Sequence, residues 1–401
     1  MFKIKQKYLD HFTGFSLALL AAFPVVRENL IPLPGQAMVI PVAFLYVSGI
    51  LRLFHDGNKI FKWKVIIYTY AIYLLFFFLI LSVAWRHYPV DTNDDLIKVL
   101  FILILLPALL LSFNERALDY FFNWIVLYGI YVTFVYIYDY AMVANLRGWA
   151  VGTSAYLVRS FLIGMGALIA LSKLLFYDNI NKKLYGFIAF FLYFGLAIAL
   201  GRAALLAAVF LGFILIAIYY RNNWPKSYSY IEYFKNKSTL IMVMLLFGSV
   251  AFAVTQIERT FSRLMRLFTG AEFRTHRVQL WQDAFIGFFD APIFGHGLSN
   301  SGAVINFNYP HNLYLQMMVD GGLIAFILIF FISLYPLLIA YNAYKKQLLK
   351  SKYWLPLLSC YIFYLINYSL ATNFYDGRML IALGLIIVIV INNLSSKYPD
   401  K

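Results

Sequence analysis

Long hydrophobic runs recur along the whole chain, near residues 12–26, 37–53, 65–85, 96–113, 118–138, 155–177, 184–200, 203–220, 239–257, 313–344, 353–372 and 378–394. Each is bounded by a charge cluster or by Gly, Pro and Asn, which punctuate helices. A helix needs roughly 20 apolar residues to cross bilayer hydrocarbon, so the pattern predicts an all-α polytopic membrane protein with about 12 transmembrane helices. The first run follows MFKIKQKYLDH and has no small-residue cleavage site after it, so it reads as a retained span. No internal repeat, low-complexity tract or Gly/Ser linker divides the sequence. The chain reads as a single integral membrane domain over 1–401, with one sizeable extramembrane segment, the loop 258–312 between spans nine and ten.

Composition agrees with a lipid solvent. Apolar residues make up 63% of the chain, aromatics 19% and charged residues 13%, the last about half the share of a soluble protein. Soluble enzymes, disordered chains and disulfide scaffolds are excluded; Cys360 is the one cysteine and can form no internal disulfide.

The net charge of +15 changes the picture only once it is sorted by side. The termini and the even-numbered connections carry 21 of the 33 Lys+Arg and 7 of the 18 Asp+Glu; the other side carries 12 and 11. The positive-inside rule then places both termini in the cytoplasm and the loop 258–312 outside, and the charge reflects topology rather than nucleic-acid binding. The two basic residue types also separate. Lysine lies on the cytoplasmic side except for Lys98, whereas 11 of 14 Arg fall outside or at outer span ends. Arginine is the better phosphate ligand, because its planar fork donates in pairs and stays ionised. The split points to a phosphate-bearing ligand at the outer face.

Candidate chemistry gathers on that face. In QIERTFSRLMRLF, Arg259, Arg263 and Arg266 form one helical stripe opposite Ile257, Phe261, Leu264 and Phe268, the pattern of an interfacial helix at headgroup level. A second helix over about 272–290 would align Arg274 and Arg277 with Trp281, Phe285 and Phe288, so both arginines would lie on an apolar stripe and need an anion: a ligand, or Glu272 or Asp283. Arg202 stands between two apolar runs with almost no loop, where a charge is expensive and usually faces a protein interior or wet cavity. His311 and Asn312 follow Pro310 at the mouth of span ten, with Asp320 and Gly321–Gly322 about two turns deeper; histidine is the natural general base near neutral pH. Arg378 and Arg159, near outer span ends, are second-rank anion ligands. No metal site is expected, for want of ligand spacing, and the acidic DTNDD at 91–95 reads as a solvated loop.

Three separated motifs resemble the O-antigen ligase and O-antigen polymerase superfamily of bacterial envelope glycosyltransferases: LALGRAALLA at 199–208, RVQLWQDAFIGFFDAPIFGHG at 277–297 and HNLYLQMMVDGGLIAF at 311–326. They stand in the family's order. The resemblance implies a fold like the membrane-embedded C-type glycosyltransferases, functional residues at Arg202, Arg277 and His311, a glycan donor on undecaprenyl pyrophosphate, and no cofactor or metal. It further implies an inner-membrane enzyme of lipopolysaccharide biosynthesis with its site in the periplasm. The acceptor would be lipid A–core in a ligase or a second lipid-linked glycan in a polymerase. The closing ATNFYDGRMLIALGLIIVIVINN resembles the ligase branch, while Asn308, Tyr309 and Pro310 stand where some ligases carry a second histidine. In the expected mechanism the arginines clamp pyrophosphate and His311 takes the acceptor's hydroxyl proton. A flippase or secondary transporter, which would show repeats and midplane charges, fits less well.

Overall fold

The computed structural model describes residues 5–29, 35–56, 62–142, 155–199, 201–223, 276–346 and 353–397. Among them there is no strand. The principal helices are α1 (Gln6–Asn29), α2 (Val39–Asp56), α3 (Trp63–Leu81), α4 (Asn93–Ser112), α5 (Ala117–Met142), α6 (Ala155–Phe176), α7 (Lys182–Ile198), α8 (Arg202–Asn223), α9 (His276–Asp290), α10 (Leu313–Lys345), α11 (Trp354–Leu370) and α12 (Arg378–Lys397). Seven of the described helices are long and apolar enough to cross a membrane, with three shorter apolar ones beside them. Eleven of the twelve hydrophobic runs coincide with a helix; the run at 239–257 lies outside the described residues. The protein is an all-α, multi-pass membrane protein.

The last helix is the centre of the bundle. Every residue of α12 from Met379 to Ile391 is buried, and it packs against α3, α10, α11 and α4. A helix apolar all round is stable only when surrounded, and MLIALGLIIVIVI is such a sequence. Gly384 lets it approach α3, where a Cβ would meet the hydroxyl of Tyr68. Peripheral helices reverse the soluble pattern. On α10, Leu323, Ile327 and Phe330 are exposed in one i, i+4, i+7 stripe; Ile66, Tyr70, Phe77 and Leu81, at i, i+4, i+11 and i+15, form another on α3. These are lipid-facing stripes.

At the bundle end that holds Lys5 and Lys173, helices are tied by charge inside the protein. Arg52, fully buried, donates to Asp10 at 2.6 Å and to Thr13 at 3.3 Å, joining α2 to α1. Lys173 donates to Asn123 at 2.6 Å, and Tyr353 to Asp119 at 2.7 Å. A cavity of about 980 Å³ opens there. The charges lining it balance, with Lys7, Arg116 and Lys173 against Asp10, Asp119 and Asp178.

Candidate functional site

At the other end, α10 does not run straight. It is broken at Gly322, whose φ of 64° and ψ of −157° are non-helical. That backbone region is open essentially to glycine alone. The break receives the segment that follows α9. Leu323 N–H donates to Pro292 O at 2.8 Å, His296 N–H to Val319 O at 2.8 Å and Gly297 N–H to Asp320 O at 2.9 Å. Backbone lies against backbone here: a Cβ on Gly295 would sit 2.5 Å from the Asp320 carbonyl carbon. The Pro-x-x-Gly-x-Gly run and the Asp-Gly-Gly run are thus two halves of one joint.

Asp320, buried in that joint, accepts from Ser301 N–H at 2.6 Å and from the hydroxyl of Tyr375 at 2.7 Å. Gln316, one turn nearer the mouth, holds the same partner segment: its amide donates to Asn373 at 2.8 Å and accepts from Phe374 N–H at 2.9 Å. The turn between α11 and α12 is therefore fixed to α10 at two levels. A further contact closes it on the flank, where Lys98 bridges Asp95 at 3.1 Å and Asp376 at 3.4 Å, and Ser299 donates to Asp95 at 2.6 Å. The acidic stretch at 91–95 is thus structural at Asp95, and at Asp91, which accepts from Asn93 N–H at 3.0 Å.

His311 stands on this frame. Its φ is +55°, an uncommon conformation for a residue with a Cβ that costs on the order of 1–3 kcal/mol and persists where surroundings over-determine it. Three contacts do so. Nδ1–H donates to Ala371 O at 3.2 Å; the Tyr309 ring meets the imidazole at a centroid distance of 4.4 Å; and Trp281 Nε1–H donates to Pro310 O at 2.9 Å. Asn312 caps α10, its side chain accepting from Tyr314 and Leu315 N–H at 2.9 and 3.1 Å. A carbonyl oxygen has only lone pairs to offer, so this contact puts a proton on Nδ1, and in the neutral ring the basic lone pair is then on Nε2.

Arg277 reaches the neighbouring carbonyl, Nη1 donating to Leu370 O at 2.8 Å. The last carbonyls of a helix lack intrahelical partners and carry partial negative charge, which suits a cation. The end of α11 thus holds both side chains. Arg277 is exposed, unlike the buried-stripe expectation. The helix is α9, His276–Asp290, and its buried face is Leu280, Ala284 and Gly287, packed on Val304, Ile305, Leu315 and Val319. Phe285 and Phe289 face outward at 48% and 61% exposure.

The remaining arginines flank this centre. Arg202 is the exposed first residue of α8, and Gly201 before it lies against Ser160, so α8 starts beside Arg159. The Arg159 guanidinium lies 5.6 Å from the Tyr136 ring centroid, within cation–π range. Arg378, half-buried, lies beside Tyr364 and Tyr368 on α11, and Phe161 of α6 packs on both tyrosines at 5.6 and 6.2 Å. The structure thus brings Arg277 and His311 together at the end of α11, with Asn312 next to His311 as the cap of α10, and sets Arg202, Arg159 and Arg378 around the same bundle end. Arg259, Arg263, Arg266 and Arg274 lie outside the described residues. Among the described residues no cluster of His, Cys, Asp or Glu could hold a metal.

Sequence reading misses Gln316, Tyr375 and the Leu370 and Ala371 carbonyls. It singles out Trp281, four residues after Arg277, but not the bond of its indole to Pro310 O. Compared with known families, residues 187–330 match the model of a family described as O-antigen ligase. That segment includes Arg202, Arg277 and His311. No curated protein matches the chain.

Proposed function

We propose, from the match of residues 187–330 to a family model described as O-antigen ligase, that the protein is a transferase of the O-antigen ligase and polymerase superfamily and moves a glycan from undecaprenyl pyrophosphate to lipid A–core at the periplasmic face of the inner membrane. The observation that carries the reading is the pairing of a guanidinium and an imidazole on consecutive carbonyls, Arg277 on Leu370 O and His311 on Ala371 O. One supplies charge for a phosphate; the other supplies a base of fixed tautomer.

The reaction is a single displacement. The acceptor hydroxyl oxygen attacks the donor's anomeric carbon as His311 Nε2 takes its proton. The bond from that carbon to the pyrophosphate oxygen breaks, and undecaprenyl pyrophosphate leaves with the electron pair, so the carbon is inverted. Arg277 and Arg202 neutralise the charge gathering on the leaving group, as cationic clamps do in phosphate departure. Arg378 and Arg159 extend the positive field, with Arg274 beside Arg277 in sequence. The stripe of Arg259, Arg263 and Arg266 is assigned to anionic headgroups on its sequence pattern alone. The cations come from side chains, so the reading calls for no metal or other cofactor.

The test is transfer by the purified protein with a defined undecaprenyl-pyrophosphate-linked glycan, offered lipid A–core in one reaction and a second lipid-linked glycan in another. Product on lipid A–core alone supports the ligase. Product on the lipid-linked glycan alone makes the protein a polymerase. Transfer to neither ends the transferase reading and favours translocation of the donor.

A further inference from the structure

Immediately before His311 the chain reads Asn306-Phe307-Asn308-Tyr309, a strip to which the catalytic reading gives no task beyond the packing of the Tyr309 ring on the imidazole. Asn306, Phe307 and Asn308 are exposed, and Tyr309 is half-buried. The strip is held from behind. Phe307 N–H donates to Gly302 O at 3.0 Å, and a Cβ on Gly302 would lie 2.7 and 2.8 Å from the carbonyl oxygens of Phe307 and Asn308. The backbone carbonyls are therefore seated on the Ser301–Val304 helical turn. At the front, the rings of Phe307 and Tyr309 stand 5.8 and 4.4 Å from the His311 imidazole. Asn306, at φ +51°, sets the turn that presents them.

We infer that Asn306–Tyr309 is the subsite for the acceptor's sugar ring, with Phe307 and Tyr309 against the pyranose C–H face and the Asn306 and Asn308 amides bonded to its hydroxyls. Aromatic faces carry partial negative charge and attract the polarised C–H groups of a sugar. Carboxamides both donate and accept, as a row of hydroxyls requires. The strip carries no cation, which suits a neutral sugar and not a phosphate. Inversion gives the side: nucleophile and leaving group lie on opposite faces of the anomeric carbon. A strip continuous with the base therefore serves the acceptor, and the arginines serve the donor. This inference rests on the transferase reading above.

The test compares wild type with Phe307→Ala and Phe307→Trp under two readouts. In transfer assays with lipid A–core, Phe307→Ala raises the acceptor KM about three- to tenfold, the size of one lost aromatic contact, with kcat at saturating acceptor and donor affinity unchanged. Phe307→Trp restores the KM. Independently, core oligosaccharide freed of lipid A gives saturation-transfer NMR signals with wild-type protein that weaken in Phe307→Ala, and it shifts the fluorescence of the indole introduced by Phe307→Trp. If wild type transfers but Phe307→Ala keeps its acceptor KM, the subsite is wrong and the transferase reading stands. If the introduced indole is quenched by brominated lipid and insensitive to the oligosaccharide, Phe307 is a membrane anchor and the subsite is again wrong. If wild type transfers to no acceptor, the reading beneath the inference has failed with it.

Discussion

Arg277 and His311 are fastened to adjacent peptide carbonyls, of Leu370 at 2.8 Å and Ala371 at 3.2 Å. They come from different elements, α9 and the residue pair before α10, and meet at the end of α11. One helix terminus fixes both, so the spacing between anion ligand and base follows from backbone geometry.

Arg277→Lys should be nearly as damaging as Arg277→Ala. One N–H of the fork is spent on Leu370 O, and the rest of the planar group remains for two phosphate oxygens, which a point charge cannot reproduce. Losing a charge-assisted bond costs roughly 1.5–3 kcal/mol, about 10–150-fold in kcat/KM. A well-expressed lysine variant with wild-type kcat/KM would show that Arg277 supplies only general charge.

Trp281→Phe removes the indole bond to Pro310 O and keeps an aromatic ring. The expected stability loss is about 1 kcal/mol, whereas kcat falls several-fold because the strained His311 backbone loses a restraint. Donor affinity should hold. Thermal unfolding beside steady-state kinetics would check this, and an unchanged kcat would show that the tie is incidental.

Gly322→Ala should be far worse for folding than an ordinary helix glycine substitution. The backbone there is in a glycine-only region and a Cβ would meet the Ile293 carbonyl, a strain on the order of 1–3 kcal/mol before any clash. Monodisperse protein with a wild-type melting temperature would mean the joint between α10 and the 291–297 segment is not the frame of the site.

These relationships differ in how visible they are in sequence. The runs that form α1 to α8 and α10 to α12 are legible because membrane crossing demands long uninterrupted apolar stretches. Lys98, the outlier among lysines, is explained by Asp95 and Asp376. The stripe through Arg277, Trp281, Phe285 and Phe288 misleads: α9 buries Leu280, Ala284 and Gly287 instead. On that face the small Ala284 and Gly287 let the helix lie close to its neighbours, and a Cβ on Gly287 would meet the Val304 side chain. Backbone carbonyls leave no sequence mark, since every residue has one. The partners of Arg277 and His311 could emerge only from the fold.

Topology is open to direct test. Asp290 is exposed at the end of α9, and Cys360 is fully buried. In an Asp290→Cys variant, a membrane-impermeant maleimide should label intact spheroplasts at position 290 alone. Labelling only after permeabilisation would put the site on the cytoplasmic side.

The central claim is that the arginines bind the donor while His311 moves the proton, and one sample of purified His311→Ala tests it. Donor affinity and single-turnover transfer are measured on the same protein, with Arg202→Ala alongside. The account predicts near-wild-type donor affinity and a transfer rate lowered by about 10²–10⁴-fold, with Arg202→Ala showing weakened donor binding instead. A His311→Ala protein that binds donor normally and still transfers within a few-fold of wild type would contradict it.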